Sequence, residues 1–147
     1  SKLQGFVHDM GASMQGGIGG HAGLFGTAED VSKVMQLFLN KGTYANNKIF
    51  SSINFDLFNK RHFNQNRRGI GFDKPQIDEN VLSTCGCVSD ESFGHSGFTG
   101  TYAWADPEDN LVYVFLSNRT YPTMRNNMIS EYNIRTEVHR LIKEASE

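Results

Sequence analysis

The residue pattern predicts an α+β fold in which helices flank a mostly antiparallel sheet. Three observations carry that expectation. A helical stripe of apolar residues follows a glycine-rich opening, short strand-like runs separated by turn residues fill the region from residue 93 to 117, and a helical period returns near the end. With 147 residues, 38% hydrophobic and 12% aromatic, there is apolar material for one core, so one domain over residues 1–147 is expected. The same composition excludes disordered, collagenous and low-complexity classes.

Residues 11–26 hold seven glycines among sixteen positions, more than a helix or strand interior tolerates, which predicts a tightly shaped loop. The glycines fit neither Gly-x-Gly-x-x-Gly nor the Gly-x4-Gly-Lys-Ser/Thr spacing, so phosphate cradling has no support. Thr27 can accept from the amide three residues on, and Glu29 and Asp30 suit the positive end of a helix, which sets a helix start. Val31, Val34, Met35, Phe38 and Leu39 then recur at helical spacing as a core-facing stripe, and Asn40-Lys41-Gly42 supplies a cation and a glycine stop. A shorter helix follows Ser51 or Ser52, with Ile53, Leu57 and Phe58 expected on its inner side.

Gly69-Ile70-Gly71-Phe72-Asp73, stopped by Pro75, suits a strand or a bulged edge. Residues 93–98, 101–105 and 111–117 read as three strands, the last two joined by the turn chemistry of Asp106-Pro107-Glu108-Asp109-Asn110. The run from Leu111 to Leu116 is apolar on both faces, which predicts a central strand covered on both sides. After Pro122 one long helix is expected to cover the sheet, with Ile134, Val138, Leu141, Ile142 and Ala145 inward. The glycine-rich opening has no obvious partner in this arrangement, so the fold is expected to be incomplete.

Fourteen basic against sixteen acidic side chains give a net charge of −2, leaving no positive field for phosphates or an anionic membrane. Nucleic acid is not an expected partner. Cys85 and Cys87 stand one residue apart, a spacing at which a disulfide is expected to be strained and a zinc ion would lack two ligands, so they say little about redox compartment. No apolar run approaches the roughly 18 residues of a membrane span. The opening Ser1-Lys2-Leu3-Gln4-Gly5 lacks a signal peptide's apolar block and reads as mid-protein sequence. His21 finds no metal-ligand spacing with His62 or His139, and neither metal nor cofactor is expected.

Gly94-His95-Ser96-Gly97 is the most reactive-looking quartet, a hydroxyl and an imidazole among glycines that let a substrate approach the backbone. A nucleophile elbow would need Gly-x-Ser-x-Gly before a helix, but Phe98 stands at the fifth position and another strand follows. Strand alternation points His95 and Ser96 to opposite faces, so they do not form a ready Ser–His pair. His8 beside Asp9 reads as a turn contact, and Tyr102 and Trp104 as packing residues.

His95-Ser96-Gly97, on a strand leading into a hairpin, resembles the Lys-Thr-Gly motif of the serine β-lactamase and penicillin-binding-protein superfamily. The form is the His-x-Gly of its class C-related esterase and peptidase branch. Gly20-His21-Ala22-Gly23-Leu24-Phe25-Gly26-Thr27-Ala28-Glu29-Asp30-Val31 resembles that branch's Gly-Gly-Leu-x-Ser-Thr-Ala-x-Asp-Leu segment. Gly69-Ile70-Gly71-Phe72 resembles the strand ahead of the third motif, and residues 94–118 with the following helix resemble the end of the fold. The departures are equally plain. No serine of the chain is followed three residues later by lysine, so the Ser-x-x-Lys nucleophile is absent from these residues. Tyr44-Ala45-Asn46 spells the second motif downstream of the segment it should precede and is expected to be a turn, and Ser89-Asp90-Glu91 is a near miss in a loop.

The resemblance implies the C-terminal portion of a serine hydrolase of esterase, D-amino-acid peptidase or β-lactamase type, acting through an acyl-enzyme and inactive without its nucleophile. It assigns site roles to His95, Ser96, Gly97 and Phe98. The Phe98 N–H would help bind the oxyanion, Ser96 would offer its hydroxyl to a substrate carboxylate or carbonyl, and His95 would stand where lysine supplies charge. Histidine is mostly neutral at pH 7, which tilts the expectation away from efficient β-lactam hydrolysis. The implied partners are the rest of the domain, a small-molecule or peptidoglycan-type substrate, and further copies of the chain through bared apolar surface. A bacterial envelope protein, periplasmic or extracellular and sometimes following a glycoside hydrolase, is the implied context. The rival readings are a non-catalytic binding module on the same fold and an α/β-hydrolase using Ser96.

Overall fold

The computed structural model describes residues 4–78 and 83–146. The glycine-rich opening is not wholly loop: α1 (Met10–Met14) forms there, its Ala12 amide capped by the Asp9 carboxylate at 2.8 Å. Farther on, the chain folds back on itself at Gly23, whose φ is 115° and where a Cβ would stand 2.4 Å from the Gly17 carbonyl oxygen.

Helix α2 (Ala28–Leu39) starts in a reciprocal capping box. The Asp30 amide donates to Thr27 Oγ1 at 3.2 Å and the Thr27 amide to Asp30 Oδ2 at 3.0 Å. These bonds hold the Asp30 carboxyl below its ordinary pKa. Met35 is buried, with Val31, Phe38 and Leu39 packed around the same core, whereas Val34 is 50% exposed and leaves the expected stripe. Strands β1 (Thr43–Tyr44) and β2 (Asn47–Lys48) form a tight hairpin whose turn places Ala45 and Asn46 at φ 47° and 64°. Tyr44-Ala45-Asn46 is therefore a turn, as its position in the chain suggested.

Helix α3 (Ser52–Asn59) forms where expected but turns a different face inward. Phe55 and Asn59 are buried, while Ile53 is 75% exposed and Leu57 and Phe58 also face outward. The Phe55 ring decides the rotation, lying 5.1 Å from Phe93 and 6.2 Å from Phe38. Residues 69–73 make no strand; Asp73 alone bridges to the sheet, exchanging backbone hydrogen bonds with Gly94 at 2.8 and 3.0 Å.

The main sheet is antiparallel, in the order β3 (Phe93–Ser96), β4 (Tyr102–Asp106), β5 (Leu111–Phe115). Ser96 pairs with Tyr102 and His95 with Ala103, while Tyr102 pairs with Phe115 and Trp104 with Tyr113. Among the described strands β4 is central and β5 lies at an edge, which corrects the expectation for residues 111–116. That run does pack on both faces, which is what its apolar pattern reported. Phe93, Ala103, Ala105 and Val112 meet the core formed with α2, and Tyr102, Trp104, Tyr113 and Phe115 form a second cluster with Val88 and Val138.

The expected single terminal helix is broken into α4 (Met128–Glu131) and α5 (Ile134–Ser146), with Asn133 between them at φ 51°. The buried residues of α5 are Thr136 and His139, with Val138 half-buried; Leu141 is 55% exposed, and Ile134, Ile142 and Ala145 also face outward. The reason lies in the sheet, which offers this helix tyrosine rings and hydroxyls. His139 stacks on Tyr113 at 4.7 Å, and the Tyr113 hydroxyl donates to the Arg135 carbonyl at 3.1 Å. Burial lowers the pKa of His139 to about 4, so it packs as a neutral ring.

Cys85 and Cys87, whose spacing led to the expectation of a strained disulfide, are joined by a disulfide. Gly86 adopts φ 71° between them, which brings the two Cα atoms to 5.1 Å, an ordinary separation for a disulfide. Among the described residues no helix is long and apolar enough to cross a membrane.

Candidate active site

The β3 strand sorts its residues by alternation. Phe93 and His95 lie on the α2 side, Gly94 and Ser96 on the α5 side. Gly94 lies so close to its neighbour that a Cβ would stand 2.2 Å from the Ala103 carbonyl oxygen and 2.3 Å from the Trp104 ring. After Ser96 the chain turns sharply: the Gly97 amide donates to the Thr101 carbonyl at 2.8 Å and the Gly100 amide to the Gly97 carbonyl at 3.0 Å. This turn feeds β4 directly rather than opening a helix, so nucleophile-elbow geometry is not formed at Ser96.

Phe98 sits at the tip of that turn. Its N–H has no partner among the described residues, while its carbonyl accepts from Arg119 Nε at 2.7 Å. The ring lies 4.5 Å from the Arg119 guanidinium carbon and stacks on His8 at 5.9 Å. Arg119 also donates to the Met124 and Asn126 carbonyls and to Asn127 Oδ1, tying the turn to the segment before α4.

Ser96, Gly97 and Phe98 line a cleft of about 260 Å³ with Arg119, Asn127, Ser130 and Arg135. A neighbouring recess of about 270 Å³ shares Ser96, Ser130 and Arg135 and adds Tyr102, Thr136 and Ser83. Among the described residues, no aspartate or glutamate lines either cavity. Arg119 is committed to backbone carbonyls, but Arg135 has only a long contact, 3.5 Å, to the Thr101 carbonyl and no ion pair among the described residues. Tyr102 is 2% exposed and its hydroxyl has no partner there; burial raises its pKa, so it stays a protonated donor. The Ser96 hydroxyl and the Arg135 guanidinium line both cavities, with Phe98 at the first and Tyr102, its hydroxyl buried, at the second. Such a surface suits an oxygen-rich anionic ligand.

The structure brings together three of the four sequence-derived site residues. His95 is exposed on the far side of β3, its Nδ1 2.8 Å from the Ser96 carbonyl oxygen, and it lines neither cavity. Asp9 does not pair with His8; it binds His21 Nε2 at 2.8 Å, and the Ala12 amide and His21 hold its carboxyl below the usual pKa. Ser89 is bound to Asp106. Sequence reasoning missed Arg119, Arg135 and Tyr102. One signal was available: from Asn110 to Ser130 the chain contains Arg119 and Arg125 and no acidic residue.

Small antiparallel sheets flanked by helices, with a cleft beside β3, make a mixed α+β arrangement. The chain belongs to the Beta-lactamase family, whose sequence profile matches residues 3–135. It is similar to proteins described as "Putative D-alanyl-D-alanine carboxypeptidase" from Salmonella agona (strain SL483), Salmonella gallinarum (strain 287/91 / NCTC 13346) and Salmonella typhi. It is 34% identical to each over 130 residues, which are 87% of this chain and 30% of the relative. The chain thus spans about a third of the length of these relatives.

Proposed function

We propose that these residues form the third-motif wall of a serine hydrolase that cleaves a substrate ending in a free carboxylate, of the D-alanyl peptide class, through an acyl-enzyme. The attacking serine lies in polypeptide outside the 147 residues. The observation that carries the reading is the cleft beside Ser96, where among the described residues no acidic side chain lines the wall, Arg135 has no anionic partner and the Phe98 amide has no acceptor. In the proposed complex Ser96 and Arg135 hold the substrate carboxylate. The Phe98 N–H faces the scissile carbonyl and stabilises the oxyanion that forms when the serine adds to it. The acylation proton is handled by groups outside this chain, since His95 stands on the other face of β3.

The description of the relatives as D-alanyl-D-alanine carboxypeptidases supports the substrate class. Exposed Phe6, Met14, Ile18 and Leu24 belong, on this reading, to an interface with the rest of the domain. A fluorophosphonate probe tests the proposal. The intact folded protein should label at a serine outside these residues, with a carboxylate-ended D-alanyl peptide protecting it, and the isolated chain should not label. An intact protein that folds but never labels is a binding module. Labelling lost in Ser96→Ala and unaffected elsewhere restores the Ser96 nucleophile reading.

A further inference from the structure

Residues 83–89 run along the end of the main sheet and are tied down at several points. Gln76 Oε1 accepts from Ser83 Oγ at 3.1 Å, from the Thr84 amide at 3.1 Å and from Thr84 Oγ1 at 2.7 Å. Val88 packs into the Tyr102, Trp104 and Tyr113 cluster. The Ser89 amide donates to Asp106 Oδ2 at 2.8 Å and its hydroxyl to Oδ1 at 2.5 Å. Asp106 is 1% exposed; burial works against its charge, and the Ser89 bonds, the Glu108 amide and Lys143 together offset it, leaving the pKa lowered. Lys143 reaches from α5 to the Cys87 carbonyl and to Asp109, and lies 3.8 Å from Asp106. Ser83 lines the recess that Ser96, Tyr102 and Arg135 share.

Among these ties sits the Cys85–Cys87 bond, with both cysteines half-buried and Gly86 exposed between them. Besides that bond, the turn is held from outside by Lys143 at the Cys87 carbonyl and by Gln76 at the neighbouring Thr84. Its local hydrogen bonds are the Gly86 amide to Thr84 Oγ1 at 3.2 Å and the Cys87 amide to Cys85 Sγ at 3.3 Å, and the glycine carries no conformational preference of its own.

We propose that the Cys85–Cys87 disulfide is a redox-sensitive clamp: closed, it keeps Val88 on Trp104 and Ser89 on Asp106; opened by a dithiol, it releases residues 83–89 and reshapes the recess behind Ser96. A thiolate of the dithiol attacks one sulfur, the Cys85–Cys87 bond breaks and a mixed disulfide forms. The dithiol's second thiolate then attacks that mixed disulfide and leaves as the oxidised cyclic disulfide. Two electrons and two protons pass to the protein, which ends with two thiols. Asp106 then loses its Ser89 donors and keeps the Glu108 amide and Lys143. The clamp is independent of the hydrolase proposal, because the groups it moves are read directly.

The test is reduction of the intact protein with dithiothreitol under native conditions, followed by alkylation mapping and hydrogen exchange by mass spectrometry. The expected result is reversible alkylation of both cysteines, with exchange at residues 83–89 faster by about tenfold, the size expected when a hydrogen bond to a carboxylate is lost. Exchange in α2 and in the β1–β2 hairpin should stay unchanged. The Cys85→Ser/Cys87→Ser variant should exchange like the reduced protein without reductant; if it does not fold, the reversible reduction of the wild type decides. The proposal is overturned if the bond resists dithiothreitol until the protein unfolds, if both thiols appear while exchange at 83–89 stays put, or if exchange rises throughout the chain.

Discussion

Arg135→Gln removes a cleft cation that has no ion pair among the described residues, and the structure sets the size of the effect. The guanidinium shares the recess with Ser96 and Tyr102 and has only a 3.5 Å contact with the Thr101 carbonyl to lose. Folding should therefore survive with little change. A hydrogen bond between charged partners contributes about 1.5–3 kcal/mol. Arg135 is half-exposed, and solvent screening favours the lower end of that range, so kcat/KM should fall by about 10- to 30-fold at 1.36 kcal/mol per decade. The assay compares two substrates on the intact protein, a peptide ending in D-alanyl-D-alanine and the same peptide ending in an amide. The loss should fall on the first and spare the second, and Arg135→Lys should lie between wild type and Arg135→Gln, since lysine keeps the charge but not the fork. An equal loss on both substrates, or none on either, refutes the assignment of Arg135 to the carboxylate.

Gly97→Ala should misplace the turn, because its Cβ would stand 2.2 Å from Thr101 Oγ1; turnover should drop with about 1–3 kcal/mol of stability, and adding Thr101→Ala should recover part of both in urea titrations and kinetics. His139 titrates at about 4 in the folded protein against an ordinary 6.5. Its contribution is complete above pH 6.5, where neither state is protonated, and drains as pH falls, because the unfolded chain takes up the proton first. Urea unfolding should show a loss of about 2 kcal/mol by pH 4.5 from this group, absent in His139→Phe. Thr27→Ala removes the side-chain half of the capping box of α2, the hydroxyl that accepts from the Asp30 amide, and should cost about 1 kcal/mol, read as a lowered Tm.

What the sequence made legible was local. The capping box of α2 announced itself because both partners sit within four residues, and the strands from Phe93 to Phe115 stood out because turn residues punctuate them. Faces were harder. In α3, apolar residues occupy more than one side, so only the ring of Phe93 across the core selects Phe55 over Ile53. In α5 an apolar stripe pointed at Leu141 and Ile142, but the sheet beneath it carries hydroxyls and rings that suit Thr136 and His139 better. For β5, apolar residues on both faces reported burial above and below, which is a different property from having a strand on each side. At the site, Ser96, Gly97 and Phe98 were visible because a motif is contiguous. Arg135 was not, because its meaning comes from Ser96, which is 39 positions away in sequence and across the same opening.

The central strand presents methyl groups to one helix and rings to the other. Ala103 and Ala105 let α2 seat against the backbone, whereas Tyr102 and Trp104 put aromatic spacers under α5. Those spacers end where the side chains shrink to Gly94, Ser96 and Gly97, and beneath the first turn of α5 the layer goes unfilled. The opening is thus made by a step in residue size along neighbouring strands, from the rings of Tyr102 and Trp104 down to Gly94, Ser96 and Gly97.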